Sequence, residues 1–254
     1  MERIETLFLA KDVRFYDELE STNDKLKSLL SAETCAEGLI VKADFQTAGR
    51  GQRDSQWHSP KSENLLMSLL LYPKFLSADK QFDLNKIVAL SIYTLLDDLG
   101  IDQVKIKWPN DVYVDKKKIS GILIENGLKG TKVSDSIIGI GLNVNTSNFP
   151  DSLKNKTCSL ATELGRKFDV NEVLFRLVKN IEQYYLLLRA GKSKGIHQQF
   201  ESHMLGFQED RKFSLPDGSH MMGRITGLDS SGRLILYADG SEHFFRNKEI
   251  QFTF

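Results

Sequence analysis

The stretch that decides the fold is VKIKWPNDVYVDKKKISGILIE, Val104 to Glu125. Three short apolar or β-branched segments, 104–107, 112–114 and 119–125, alternate with two polar turns, at Pro109-Asn110 and at Asp115-Lys116. Strands joined by such short connections pair antiparallel, because parallel neighbours need a long crossover. This stretch therefore predicts successive hairpins inside an antiparallel or mixed sheet.

Helices and further strands extend the pattern on both sides of these hairpins. Leu84 to Leu99 has apolar residues at helical spacing and ends at Gly100, a typical C-terminal stop. Ser21 and Asp24 have the spacing of a capping box and predict a helix start. Further helices are predicted at 170–188 and 196–205, and further strands at 38–45, 64–72 and 136–144. The main body is therefore predicted to be α+β, a mixed β-sheet with flanking helices.

The last fifty residues change character. Short strand-like segments there are separated by Pro216-Asp217-Gly218, by 229–232 and by Asp239-Gly240, which are turn sequences. This pattern predicts a small all-β domain after Leu205. We therefore expect two domains, residues 1–205 and residues 206–254.

Composition excludes several classes of protein. Of the 254 residues, 41% are hydrophobic, which is enough for a substantial core. Lys plus Arg equals Asp plus Glu at 34 each, so no net charge attracts nucleic acid or an anionic membrane. Cys35 and Cys158 have no partner spacing, which argues against a disulfide framework or a zinc site and favours a reducing cytoplasm. The charged N-terminus is neither a signal peptide nor a membrane span.

The loop GRGQRDSQW, Gly49 to Trp57, has no aliphatic residue with which to anchor itself. It fits a solvated hairpin loop whose Trp57 enters the core. It fits an anion-binding loop equally well, because its glycines expose backbone N–H groups and Arg50 and Arg53 add charged donors. An RGG-like nucleic-acid patch is disfavoured by the neutral chain and by the lack of repeats.

Three other stretches concentrate polar groups beside glycine. Lys107–Asp111 places a lysine, an indole, an amide and a carboxylate around one turn, and Lys118–Glu125 begins with a lysine and includes Gly121. Gly139–Asn145 places two glycines in an apolar strand, which weakens the strand unless something must approach closely. Taken singly, each stretch is also compatible with an ordinary turn or strand, and most lysines beside a turn have no special role.

Together these stretches resemble the biotin–protein ligase family. The matching segments are Ser21–Asn23, Gln46–Gly51 with Trp57, Lys107–Asp111, Lys118–Glu125 and Gly139–Asn145, in family order and at family-like spacing. The resemblance runs from about Phe15 to the C-terminus. It implies a class II synthetase-like catalytic domain, shared with lipoate ligases, and a small C-terminal SH3-like β-barrel. Since some relatives add an N-terminal DNA-binding domain, we expect this chain to be the form without one, with no nucleic-acid or membrane partner.

The resemblance also implies a two-step reaction. ATP activates biotin as biotinyl-5′-AMP with Mg²⁺ present, and a lysine of a biotin carboxyl carrier protein or domain then attacks it. Catalytic roles fall to Lys118, Arg50, Arg53 and Asp111, with Mg²⁺ near Asp111. Biotin contacts are implied for Ser21, Thr22, Asn23, Gln46, Gly49, Arg50, Gly51, Gln52, Lys118 and Gly121. Nucleotide contacts are implied for Trp57, Lys107, Asn110 and Asn143.

The loop departs from the family pattern at Gln52, Asp54 and Ser55, where relatives carry arginine, glycine and a basic residue or asparagine. This version is less positive, so we expect weaker retention of the adenylate. Two alternatives remain open. One is a lipoate–protein ligase, whose arginine-rich, glycine-rich loop this segment does not match. The other is a non-catalytic biotin-binding module, against which Lys118 and Arg50 argue. The residues leave open whether the protein is a monomer or a homodimer.

Overall fold

The computed structural model describes residues 5–52 and 55–253. Among these residues, seven strands form a mixed sheet in the order β1-β2-β3-β7-β6-β5-β4. They are β1 (Val13–Tyr16), β2 (Ile40–Ala43), β3 (Leu65–Leu71), β4 (Val104–Lys107), β5 (Asp111–Val114), β6 (Lys117–Lys129) and β7 (Lys132–Leu142). β1 and β2 pair parallel, and the other neighbouring strands of this sheet pair antiparallel. The predicted mixed sheet with its hairpins is confirmed.

Helices cover both faces of this sheet. They are α1 (Thr22–Ala32), α2 (Phe82–Asp98), α3 (Leu160–Leu164), α4 (Val170–Arg189) and α5 (Ser193–Ser202), with a 3₁₀ turn at Ala78–Lys80. Neighbouring residues of a strand point to opposite faces. Accordingly, Leu69 belongs to the large core with α2 and α4, whereas Leu70 belongs to a smaller cluster with Leu26 of α1.

The predicted elements are present with shifted ends. α1 begins after Ser21, whose side chain accepts from the backbone N–H of Asp24 at 3.4 Å, as the capping pattern predicts. The last long helix is α5 at 193–202 rather than 196–205, and β6 runs to Lys129 rather than ending at Glu125. β1 and α3 were not predicted, because neither has enough length or periodicity to stand out from the sequence.

A second, antiparallel sheet follows α5. Within the described part of the chain its strand order is β11-β10-β9-β8-β12. The strands are β8 (Asp210–Ser214), β9 (His220–Leu228), β10 (Leu234–Ala238), β11 (Ser241–Phe245) and β12 (Gln251–Phe252). This confirms an all-β C-terminal region. The domain boundary itself, at 205/206, stays a prediction.

The two sheets are joined by direct contacts. Trp108, in the turn between β4 and β5, is buried, and its indole Nε1 donates to the carbonyl of Gly232 at 2.9 Å. The Gly232 turn lies against Phe82 of α2, so closely that a Cβ on Gly232 would lie 2.6 Å from the Cβ of Phe82. The apolar residues of β9 and β10 continue the main core. The second sheet is therefore held close to the turn that carries the predicted site residues.

No helix among the described residues is long and apolar enough to cross a membrane.

Candidate active site

A cavity of about 400 Å³ lies on the α1 side of the large sheet. Its wall is formed by the start of α1, Gln46 with the 49–57 loop, Met67 of β3, Lys107 with the turn at 108–110, strands β5 to β7, and residues 247–252. This volume is within the range of small-molecule sites. The sequence-predicted residues that line it are Ser21, Thr22, Asn23, Gln46, Arg50, Gly51, Gln52, Trp57, Lys107, Asn110, Asp111, Lys118 and Gly121.

The first turn of α1 forms an uncharged polar wall. Ser21, Thr22 and Asn23 are buried, each less than 5% exposed, and they face the cavity because α1 packs its N-terminal end on the sheet. The backbone N–H of Thr22 donates to Gln46 Oε1 at 2.7 Å, which fixes the amide of Gln46. Asn23 Nδ2 donates to Glu125 Oε2 at 2.7 Å. This wall offers hydroxyl and amide groups to a neutral polar ligand.

Glycines form the floor of the cavity. Gly121 of β6 faces Gly141 of β7 across the ladder. The indole of Trp57 lies on both: a Cβ would be 3.1 Å from Cζ3 at Gly121 and 2.7 Å from Cζ2 at Gly141. At Gly139, a Cβ would lie 2.5 Å from Asn23 Oδ1. These glycines therefore do permit a close approach, as the sequence indicates. The groups that approach them are the indole of Trp57 and the side chain of Asn23 in α1.

Lys118 faces the cavity because of an irregularity in β6. Val112 pairs with Ser120 and Tyr113 with Lys118, so Ile119 is an extra residue and forms a bulge. Ile119 lies in the main core. Without the bulge, strict alternation along β6 would put Lys118 on the face opposite to Gly121, away from the cavity. Instead, Lys118 Nζ lies 2.7 Å from Asp111 Oδ1 and 5.5 Å from the ring centre of Trp57.

Lys107 and Asn110 continue the same side of the cavity. Burial lowers the pKa of Lys107, and the charge of Lys118 lowers it further, whereas Asp111 opposes the shift. Lys107 Nζ lies 5.1 Å from the ring centre of Tyr113. Asn110 Nδ2 donates to the carbonyl of Ile122 at 2.7 Å, which holds the turn against β6. Two cations and one carboxylate thus converge at this end of the cavity.

The described part of the 49–57 loop is a small hairpin. Trp57 N–H donates to the Gly49 carbonyl at 2.9 Å, and Gly51 N–H donates to the Ser55 carbonyl at 2.7 Å. Arg50 Nη2 lies 2.7 Å from Asp24 Oδ1 and 3.1 Å from Glu125 Oε2. The protein itself therefore supplies two carboxylate partners for Arg50. Arg53 and Asp54 lie outside the described residues.

Asn143 does not line the cavity. It is buried beyond the end of β7, and its side-chain Nδ2 donates to the carbonyl of Cys158 at 3.0 Å. The NH₂ group of Asn143 is therefore already hydrogen-bonded within the protein. Gly49, likewise, is set back from the cavity wall, and a Cβ there would lie 2.5 Å from the Trp57 carbonyl.

Sequence reasoning missed the contribution of the second sheet. Asn247, Lys248, Ile250, Gln251 and Phe252 line the cavity, and Asn247 Nδ2 donates to Gln52 Oε1. No local pattern marks these residues, because they reach the cavity only through the docking of the two sheets. Sequence reasoning also missed Ser68, a buried hydroxyl behind Thr22 and Asn23, although it interrupts the apolar run of β3.

The residues of the cavity could hold Mg²⁺ only together with the phosphate groups of a bound substrate. Among the described residues, no group of three or more His, Cys, Asp or Glu side chains converges on a common point. Of the described residues that line the cavity, Asp111 is the one with a carboxylate. Mg²⁺ is commonly held by one or two carboxylates together with substrate phosphates, and Asp111 is placed to be such a ligand.

Comparison with known proteins identifies the family to which this fold and site belong. A model described as "Biotin/lipoate A/B protein ligase family" matches residues 16–143. The bifunctional ligase/repressor BirA of Bacillus subtilis is 32% identical over 235 residues, which cover 92% of this chain and 71% of the relative. A biotin–[acetyl-CoA-carboxylase] ligase of Paracoccus denitrificans is 27% identical over 243 residues, covering 92% of this chain and 97% of the relative.

Solved structures agree. The structure of a biotin protein ligase from Aquifex aeolicus, in complex with biotin and ATP, superposes with a TM-score of 0.79 at 29% identity. The match covers 95% of this chain and 98% of that one. The fold is thus that of a biotin–lipoate ligase catalytic region followed by an SH3-like sheet. The chain belongs to the biotin/lipoate A/B protein ligase family.

Proposed function

We propose that this chain is a biotin–protein ligase. It uses ATP to attach biotin, through biotinyl-5′-AMP, to a lysine of a biotin carboxyl carrier domain. Its similarity to named biotin ligases supports biotin over lipoate as the substrate. The proposal rests on the order of chemical groups along β6. A neutral polar wall, a flat glycine floor and a lysine ammonium follow one another beneath the same cavity.

The three kinds of group match the parts of biotin in turn. Beside Leu123 lies the neutral polar wall, where Asn23 Nδ2 approaches the Leu123 carbonyl at 3.4 Å. Beside Gly121 lies the flat floor under Trp57, and beyond the bulge lies the ammonium of Lys118. A ureido head that both donates and accepts hydrogen bonds suits the first, an aliphatic chain the second and a carboxylate the third. These assignments of individual residues are part of the proposal.

The cationic end suits adenylate chemistry. Joining a carboxylate to the α-phosphate of ATP brings two anions together and releases pyrophosphate, so positive charge must offset the developing negative charge. Lys118 and Lys107 line this end, and Arg50 is within the same wall. When bound, Mg²⁺ would neutralise phosphate charge, with Asp111 as its protein ligand. The acceptor amine then attacks the acyl carbon, forming the amide and releasing AMP.

Residues 247–252 extend the wall at this end, which supports their contact with the nucleotide or the acceptor. We place the protein in the cytoplasm, a proposal supported by Cys35 and Cys158, which are both buried and free.

The test is mass spectrometry of a biotin carboxyl carrier domain after incubation with this protein, biotin and Mg-ATP. The expected product carries one biotin on one lysine and forms only with ATP. Labelling without ATP, or preferential transfer of lipoate, would overturn the proposal. Pyrophosphate release with biotin and ATP alone distinguishes a ligase from a non-catalytic module, which would release none.

A further inference from the structure

Phe252 is a residue of the second sheet that reaches the active-site cavity. It lies in β12 and pairs with Phe213 of β8. The two rings pack edge to face, with 5.4 Å between their centres, and Phe213 is fully buried in the core. The ring of Phe252 is therefore anchored by its own sheet, although Phe252 itself lines the cavity.

Two aromatic rings flank the ammonium group of Lys107. Its Nζ lies 5.1 Å from the centre of the Tyr113 ring and 5.7 Å from the centre of the Phe252 ring. A cation is attracted to the face of an aromatic ring when it lies within about 6 Å of the ring centre. Tyr113 belongs to β5, so each of the two sheets contributes one ring to this aromatic clamp, Tyr113 and Phe252.

The aromatic clamp attracts Lys107 without neutralising its charge. Asp111, the carboxylate of the cavity wall, lies 2.7 Å from the Nζ of Lys118. Burial, to which the two rings contribute, lowers the pKa of Lys107 and outweighs the opposing charge of Asp111. A carboxylate in the place of a ring would compete with an anionic ligand for the lysine, whereas an uncharged ring does not.

A lysine that is held in advance binds an anion at a lower entropic cost. The side chain of lysine is long and flexible, and fixing it on a ligand removes rotamer freedom. When rings already hold the ammonium group, less of this freedom is lost on binding, and affinity is correspondingly higher. The clamp thus acts on a ligand through Lys107.

We infer that Phe252 is a positioning residue that, together with Tyr113, holds the Lys107 ammonium group ready for the phosphate groups of a nucleotide. The inference rests on the proposed function, because ATP is the ligand considered. It assigns to the last strand of the second sheet a specific task in the large sheet's site, which is to hold one cation in place.

The test measures the binding of α,β-methylene-ATP at saturating biotin by calorimetry. The bond broken in the reaction cannot be cleaved in this analogue, so inactive variants can be measured as well. Phe252→Leu keeps an apolar side chain but removes the ring, and it should weaken the analogue by about threefold to thirtyfold, the range of one cation–π contact. Biotin affinity should not change. Phe252→Tyr keeps the ring and should bind the analogue like the wild type.

A double-mutant cycle with Lys107→Met shows whether Phe252 acts through the lysine. In the Lys107→Met background, Phe252→Leu should cause no further loss, because the clamp then has no cation to hold. A further loss of threefold or more would mean that Phe252 contacts the nucleotide itself, and the inference would be wrong. Tyr113→Leu removes the other ring, and it should weaken the analogue through Lys107 in the same way if Phe252→Leu does not fold.

Phe245→Leu is the matched control. Phe245 is a partly buried phenylalanine of β11 in the same sheet, it packs against the core, and it is outside the cavity wall. This variant should bind the analogue like the wild type. An equal loss in Phe245→Leu and Phe252→Leu would assign the effect to a disturbed sheet and overturn the inference.

The outcomes separate this inference from the proposed function. Failure of the wild type to bind biotin would overturn the proposed function and this inference with it. Normal binding of biotin and the analogue by the wild type, with unchanged affinity for the analogue in Phe252→Leu or in Tyr113→Leu, would overturn the inference alone.

Discussion

Lys118 and Asp111 form an ion pair across β5 and β6, with 2.7 Å between Nζ and Oδ1. Lys118 is still 27% exposed in its side chain and Asp111 20% exposed, so the pair is open to the cavity rather than sealed in the core. Because its ammonium faces the cavity, Lys118 can direct its charge at a ligand, and it contributes little to the packing of the core.

Lys118→Ala should therefore slow adenylate formation far more than it lowers stability. Loss of one preorganised electrostatic contact in a transition state typically costs about 10²–10³ in rate. Pyrophosphate release measures the rate, and thermal unfolding measures stability. Lys116→Ala and Lys117→Ala, at exposed neighbours, are the controls. If either slowed the reaction as much as Lys118→Ala, the choice among the three lysines would be wrong.

Nucleotide binding should weaken at alkaline pH because of Lys107. Its lowered pKa means that it loses its proton below the ordinary lysine value of 10.5, so its charge is lost as the pH rises through the lowered pKa. Since the unfolded chain holds this proton more tightly, the free energy of unfolding should rise with pH across the same window. Lys107→Arg keeps its charge in this range.

The measurement is ATP affinity against pH for the wild type and for Lys107→Arg, which should retain affinity to higher pH. Lys105→Arg, two residues earlier in β4 and outside the cavity wall, should follow the wild-type profile. Identical profiles for the wild type and Lys107→Arg would show that Lys107 does not act on the nucleotide.

Gly141→Ala should weaken biotin binding by at least about tenfold. The new methyl would lie 2.7 Å from Cζ2 of Trp57, closer than carbon atoms approach, so the indole must leave the cavity floor. Calorimetry measures the affinity. Gly195→Ala in α5 is the control, because nothing lies within 4 Å of its Cβ, and it should stabilise the helix by about 0.5–1 kcal/mol. Wild-type biotin affinity in Gly141→Ala would contradict the described role of the floor.

Docking of the two sheets can be tested at Gly232. Gly232 and Gly240 both have positive φ, +85° and +80°, so alanine strains the backbone at either. At Gly232 the methyl would also meet Phe82, whereas at Gly240 nothing lies within 4 Å. Gly232→Ala should therefore lower the free energy of unfolding by about 1–3 kcal/mol more than Gly240→Ala, as overpacking does. Equal losses in urea unfolding would rule out the contact with Phe82 as a determinant of stability.

The 49–57 loop should become more resistant to trypsin when biotin and ATP bind. The hairpin buries little apolar surface, and its Arg50 is paired with partly exposed carboxylates, so its free state is weakly held. A ligand that engages Arg50 and the glycine N–H groups should protect the bonds after Arg50 and Arg53. Cleavage after the exposed Arg166, before α4, is the internal control and should not change. Equal cleavage with and without ligands would refute ligand-driven ordering.

The sequence identified the elements with strong local signals, and the structure explains what it could not identify. The hairpins from β4 to β6 and the start of α1 were predicted because turns and caps are local. The orientation of Lys118 depends on the bulge at Ile119, which alternation alone would not reveal. Phe252 and its neighbours reach the cavity through long-range packing, and Ser68 matters only because its partners are on α1.

The facing pair of Gly121 and Gly141 sets stability and binding in opposition. Each glycine inside a strand costs the fold conformational entropy and leaves a gap in side-chain packing, so a larger residue there would ordinarily strengthen the sheet. The indole of Trp57 blocks that gain, but a smaller side chain at position 57 would permit it. Directed evolution of this protein for heat resistance alone should therefore converge on variants that fill the floor of the cavity. Selection for thermostability must be coupled to a selection for ligand binding if the site is to survive it.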